Sequence, residues 1–276
     1  MNVRLIASDL DGTIIREDGT ISPRTVEAFQ AARESGINVV FVTGRPFRWL
    51  GPVREAFGHL GTVICSNGAV LYDLEAEKLL WAQTIDMEVL RRAREIITRA
   101  EPSATFAAET TRGLHLEAGF AEPHEIELIS RFEPLDLHSE LILEHGVVKF
   151  LAKSRTRSAD DFMAAVAGEL SSLVTVTHSA KDVSLLEMAH ANINKSVTLS
   201  EYAQGLGIGP DGVAAFGDMP NDLEMLSWAG HGYAMASGHP SALKAAAHLA
   251  PGVEEDGVAR VIEEILASKS IPGPNL

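Results

Sequence analysis

The sequence is short of cysteine, of long apolar runs and of positive charge, and each shortage excludes something. One cysteine, Cys65, cannot form an internal disulfide. No stretch approaches the ~18 consecutive apolar residues that a membrane-spanning helix needs. The N-terminus, MNVRLIASDLDGT, puts acids where a secretory signal would need an uncharged apolar stretch. Against 38 Asp and Glu stand only 23 Lys and Arg, and the resulting formal charge of −15 would repel a polyanion. A general nucleic-acid binder is therefore excluded, any phosphate chemistry must be local, and a soluble cytoplasmic protein is expected. What is present is core material: 46% of the 276 residues are apolar, and the length suggests two unequal domains.

Leu5-Ile6-Ala7 is a short apolar run ending at Ser8-Asp9, and Ser22-Pro23 reads as an N-cap with proline at the first helical position. The helix from Pro23 stops at Gly36, and Ile37 to Val42 forms a second strand ending at Thr43. Val63-Ile64-Cys65 ends at the turn signal Ser66-Asn67-Gly68, with Cys65 as a core residue. Val213 to Phe216 ends at Gly217-Asp218, and Pro220 opens a further helix. Four apolar strands separated by helices predict a parallel sheet, which collects ligands at the carboxyl ends of its strands. From Thr84 to Met188 the texture changes. Helices are expected at Glu88 to Ala100, Glu122 to Phe132 and Ala159 to Leu170. Strands are expected at Thr105 to Ala108, Leu114 to Glu117, Val147 to Leu151, Val174 to His178 and Val183 to Glu187. None of these strands ends in a carboxylate-glycine turn, so residues 84–188 read as an inserted α/β lid, with 1–83 and 189–276 forming one discontinuous core.

Asp9-Leu10-Asp11-Gly12-Thr13 sets two carboxylates two residues apart just past a strand. Acids this close need a cation or a shared proton. A hard cation such as Mg²⁺ takes oxygen ligands, and Asp218 and Asp222, beyond the other informative strand, complete a metal site with Asp9 and Asp11. Thr43-Gly44-Arg45 offers a hydroxyl and backbone N–H groups to phosphate oxygens, and Lys195 adds what reads as a mobile positive charge. In the lid, Arg112, His115, Glu117, Lys149 and His178 are suited to sugar hydroxyls, with most of them expected on the solvent face.

Asp9-Leu10-Asp11-Gly12-Thr13, Thr43-Gly44-Arg45-Pro46, Asn194-Lys195 and Gly217-Asp218-Met219-Pro220-Asn221-Asp222 resemble the four ordered motifs of the haloacid dehalogenase superfamily, in its Cof-type sugar-phosphatase branch. Ser66-Asn67-Gly68-Ala69 and Glu255-Asp256-Gly257-Val258 resemble further marks of that branch. The resemblance implies a Rossmann-like parallel-sheet core with a large inserted α/β cap. It implies Asp9 as the phosphate-accepting nucleophile and Asp11 as general acid and base. Thr43, Gly44, Lys195 and Asn221 then bind phosphate, and Asp218 binds Mg²⁺, with Asn221 and Asp222 close by. Ser196 departs from the pattern, which has glycine after the lysine.

The expected function is that of a Mg²⁺-dependent phosphatase acting through an aspartyl phosphate on a small phosphorylated metabolite, with a sugar phosphate as the best class. The alternatives are a phosphomutase with the same chemistry and a non-catalytic phosphometabolite-binding regulator. No nucleic-acid or membrane partner is expected, and the chain is expected to be a monomer or a small homo-oligomer.

Overall fold

The computed structural model describes residues 2–58, 61–123, 125–178 and 183–269. In chain order the strands are β1 (Leu5–Ser8), β2 (Asn38–Val42), β3 (Thr62–Cys65), β4 (Val70–Asp73), β5 (Lys78–Ala82), β6 (Thr105–Thr110), β7 (Leu114–Leu116), β8 (Leu135–Asp136), β9 (Val147–Lys153), β10 (Val174–Thr177), β11 (Leu185–His190), β12 (Val213–Gly217), β13 (His231–Met235) and β14 (His248–Ala250). The chain divides into two compact units, Met1–Lys78 with Lys195–Leu276, and Leu79–Asn194.

In the first unit the strand order runs β14-β13-β12-β1-β2-β3-β4. Every neighbouring pair from β14 to β3 is parallel, and β4 turns back antiparallel to β3. All four residues of β1 are buried, as expected of a central strand covered on both faces. Ser22 caps the helix Pro23–Glu34 by accepting the Thr25 N–H at 3.1 Å, and Pro23 costs nothing in the first turn. That helix buries Phe29 edge-on against Phe41 of β2 and Phe57 of the helix Gly51–Phe57. Leu199 and Ala203 of the helix Lys195–Gly205 join Leu5, Ala7, Val40, Val213 and Ala215 in one apolar cluster. The parallel arrangement brings the carboxyl ends of β1, β2, β3 and β12 to the same edge of the sheet.

The second unit is a six-stranded sheet in the order β10-β11-β9-β6-β7-β8, antiparallel from β10 to β7. Helices Met87–Ala100 and Ala159–Leu170 start at the capping side chains of Asp86 and Ser158. They pack Leu90, Ile97, Phe162 and Val166 among Phe106, Phe150, Leu186 and Met188. The chain is thus an α/β protein with a Rossmann-like core and an inserted α/β cap.

Several details differ from the sequence reading. The expected helix from Glu122 to Phe132 shrinks to Ile126–Ser130: Pro123 disfavours helical backbone at Glu122, and among the described residues no side chain caps the helix start. His124, within that stretch, lies outside the described residues. β11 starts at Leu185 and continues to His190 rather than running from Val183 to Glu187. Pro220 opens a 3₁₀ turn, Pro220–Asp222, which hands over to the helix Leu223–Trp228. Of the lid residues expected mostly at the solvent face, only Arg112 is exposed. His115, Lys149 and His178 are buried because each has a polar partner within its own unit: His145, Glu187 and Asp160 respectively. Glu117 is held by Arg94 and by the Phe106 N–H.

Candidate active site

Asp9 follows β1 directly, and its N–H donates to the Phe216 carbonyl of β12 at 2.9 Å, which ties the two strand ends together. The chain then curls so that the N–H groups of Thr13, Ile14 and Ile15 all donate to the Leu10 carbonyl. Gly12 sits in that curl at φ +72°, and a Cβ there would lie 2.4 Å from Asp218 Oδ2. Only glycine combines this backbone with so close an approach. Gly217 serves the same purpose at the end of β12, where a Cβ would lie 2.5 Å from Asp222 Cγ.

Lys195, first residue of its helix, is 1% exposed. Its Nζ donates to Asp9 Oδ1 at 2.5 Å and to Asp222 Oδ1 at 2.7 Å. The sequence reading took it as a mobile charge; two carboxylates from distant parts of the chain hold it rigid instead. Asp222, fully buried, also accepts the N–H groups of Asp218 and Met219 on Oδ2 at 2.9 and 3.0 Å. It thereby sets the turn that presents Asp218. The Thr13 hydroxyl lies 3.5 Å from Asp9 Oδ2 and 3.4 Å from Asp218 Oδ1.

Carboxylate oxygens of Asp9, Asp218 and Asp222 all fall within 4.8 Å of one another. Burial pushes the Asp9 carboxyl well above the usual carboxylate range; Lys195 pulls it down, and the charges of Asp222, Asp218 and Asp11 push it further up. Burial by itself would lower the Lys195 ammonium, but Asp222 and Asp9 more than reverse this and raise it. Two acids therefore share one lysine, with Asp218 alongside them.

Asp11 stands apart from this group. Its carboxylate takes Arg45 Nε at 2.8 Å and Arg45 Nη2 at 2.6 Å, and its side chain is 56% exposed. As a metal ligand through its side chain, Asp11 is thus separated from the other three by its ion pair with Arg45. Thr43 is fully buried at the end of β2, and its hydroxyl accepts the Arg45 N–H at 3.0 Å. Asn67, at φ +56° after β3, accepts Asn221 Nδ2 on its side-chain oxygen at 3.0 Å. Asn221 is 6% exposed, and its own Oδ1 has no hydrogen-bond partner among the described residues. The sequence reading weighed Asn67 as a turn former against a site contact, and assigned no role to Thr13 or Gly217; their places inside the motifs were the available signal.

A family model for haloacid dehalogenase-like hydrolases matches residues 6–262. The chain belongs to that family. It is a phosphatase of the haloacid dehalogenase superfamily, in the Cof-type branch. It is 26% identical over 270 residues to a 5-amino-6-(5-phospho-D-ribitylamino)uracil phosphatase of Bacillus subtilis (strain 168), covering 94% of this chain and 96% of that one. It is 28% identical over 261 residues to a pyridoxal phosphate phosphatase of Escherichia coli (strain K12), covering 91% and 94%. A crystal structure from Streptococcus mutans UA159 superposes with a TM-score of 0.82 at 25% identity, covering 96% of this chain and 99% of that one. Among the described residues, no helix of this haloacid dehalogenase-like hydrolase is long and apolar enough to cross a membrane.

Proposed function

We propose that the chain is a Mg²⁺-dependent phosphatase that hydrolyses a small phosphorylated metabolite, of the sugar-phosphate class, through an aspartyl phosphate on Asp9. The observation that carries this reading is the buried Asp9 carboxylate, bound by Lys195 and set beside Asp218 and Asp222 at the carboxyl ends of parallel strands. An all-oxygen set whose negative charge exceeds that of its lysine suits a hard divalent cation. Asp9 and Asp218 would hold it, since Asp222 already accepts three hydrogen bonds. Bound there, Mg²⁺ supplies neutralising charge for the phosphate dianion.

The chain's own groups divide the remaining work. Asp9 attacks phosphorus in line with the leaving oxygen, and Lys195 neutralises charge on the phosphoryl oxygens. Thr43, the Gly44 N–H and Asn221 add hydrogen bonds to those oxygens. Asp11 gives a proton to the leaving alkoxide and later takes one from the attacking water. The Bacillus subtilis and Escherichia coli relatives are named for a phosphorylated ribitylaminouracil and for pyridoxal phosphate, both small phosphorylated organic molecules, which supports a small phosphorylated metabolite as substrate.

The test is rapid acid quench of protein turning over p-nitrophenyl phosphate, followed by intact mass measurement, before and after dialysis against EDTA. A phosphoryl adduct is expected in wild type, absent in Asp9→Asn, with turnover lost on chelation and restored by Mg²⁺. Full turnover in excess EDTA would overturn the metal assignment, and an adduct that persists in Asp9→Asn would overturn the nucleophile.

A further inference from the structure

If Asp11 carries protons for the reaction, as proposed above, its carboxylate must reach an oxygen bonded to the phosphorus that Asp9 attacks. In the structure it faces elsewhere. Both of its oxygens are taken by the guanidinium of Arg45 in a fork-on-fork pair, at 2.6 and 2.8 Å, on the side open to solvent. The Asp9 side chain, by contrast, is 8% exposed.

Arg45 is the better anchored partner. Its Nη1 donates to the Trp49 carbonyl at 3.2 Å, its N–H donates to Thr43 Oγ1, and its carbonyl accepts the Ser66 N–H at 3.0 Å. Its side chain is only 20% exposed. The pair therefore opens by movement of Asp11, once something else satisfies the guanidinium. Arg45 lies two residues beyond Thr43, beside the proposed phosphate contacts, so acceptor oxygens of a bound substrate are placed to do this.

We propose that Arg45 is a positioning residue that parks Asp11 outside the acid cluster until the oxygens of a bound leaving group take over its guanidinium. Asp11 then reaches the reacting oxygen only when a substrate with such acceptors is present. Once the leaving group departs, Arg45 can recapture Asp11, and recapture competes with hydrolysis of phospho-Asp9. That hydrolysis forms a bond from the water oxygen to phosphorus, breaks the bond from phosphorus to the Asp9 oxygen, and passes the water's proton to Asp11.

Acetyl phosphate loads Asp9 with a leaving group that needs little proton assistance, so it isolates the second step. The lifetime of phospho-Asp9 is measured by quench and intact mass in wild type, Arg45→Met, Arg45→Lys, Asp11→Asn and the Arg45→Met/Asp11→Asn double variant. Thermal melts confirm folding, and Arg45→Lys carries the test if the methionine variant does not fold. An exposed ion pair of this kind corresponds to a change of up to ~5-fold, so Arg45→Met should shorten the lifetime by about that factor, with Arg45→Lys intermediate. No shortening is expected when Asp11 is already Asn. Loss of a charged donor should raise KM for a hexose phosphate by ~10-fold while leaving KM for acetyl phosphate nearly unchanged. An unchanged or longer lifetime in the folded Arg45 variants, or the same shortening in the Asp11→Asn background, overturns the proposal and leaves the phosphatase reading intact. If wild type hydrolyses phosphate esters without an adduct on Asp9, the covalent mechanism fails and this inference falls with it.

Discussion

Glu101 in the second unit and Asp9 in the first are both 5% exposed, yet their neighbours are balanced in opposite ways. Glu101 accepts hydrogen bonds from Ser103, Ser154, Thr156 and Arg157, joining the end of the helix Met87–Ala100 to the loop after β9. These donors, Ser103 first, hold its carboxyl down to about 2. Asp9 shares a single lysine with Asp222 while Asp218 stands alongside, and its carboxyl is pushed up. The Glu101 cluster is complete as it stands, and it joins segments. In the Asp9 cluster three acids lie within 4.8 Å of one another and Lys195 pairs with two of them, an arrangement that a guest of positive charge would stabilise. Crowding by like charge on one side and hydrogen-bond donors on the other, rather than burial alone, separates the two acids.

The largest effect expected from this difference is at Asp9. Asp9→Asn should lower kcat by at least ~10³. The melting temperature should hold or rise, because one of three crowded acids loses its charge; a clear drop in Tm would make the cluster structural after all. Gly12→Ala comes next. Its Cβ would strike Asp218 Oδ2 in a backbone that disfavours any side chain, and a displacement of that order costs up to ~10²-fold in kcat. Steady-state kinetics on the folded variant would measure it, and near-wild-type kcat would show that Asp218 can move without harm.

Glu101→Gln should do the reverse of Asp9→Asn. Urea unfolding should show a loss of ~1–3 kcal/mol, the range for breaking hydrogen bonds to a buried charged group, while kcat/KM stays unchanged. The smallest effect is in its pH dependence. The Glu101 carboxyl sits at about 2 when folded against an ordinary 4.5, so its stabilisation is complete above ~4.5 and fades as pH falls toward 2. The stability gap between wild type and Glu101→Gln should narrow over that window, and a constant gap down to pH 2.5 would rule out the carboxylate as its source.

Strands β1, β2, β3 and β12 could be read from the sequence because each is a continuous apolar run closed by a polar turn, and parallel pairing then places those turns together. Lys195 could be placed in the site but not in its rigid setting. Asn194-Lys195-Ser196 is locally indistinguishable from a solvated helix start, and what buries it comes from 186 and 27 residues away. Asp222 was the hardest to read, since an acid in the first turn of a helix is favoured by the dipole alone. Its bonds to the Asp218 and Met219 N–H groups depend on the turn made by Pro220. In the second unit, alternation failed along β9, where all seven residues are buried, lysines included, because Lys149 and Lys153 find acids within their own unit.

The position of β1 between β2 and β12 has a consequence for biosynthesis. β2 leaves the ribosome soon after β1, but the strand that closes the other edge comes much later; Thr13 and Asp218, which meet at the finished site, are 205 residues apart. At 5–20 residues per second that interval is roughly 10–40 s. For that time a short, mostly apolar strand has one row of N–H and C=O groups open to any passing chain. The nascent core should therefore need that open edge shielded until residue 217 has emerged.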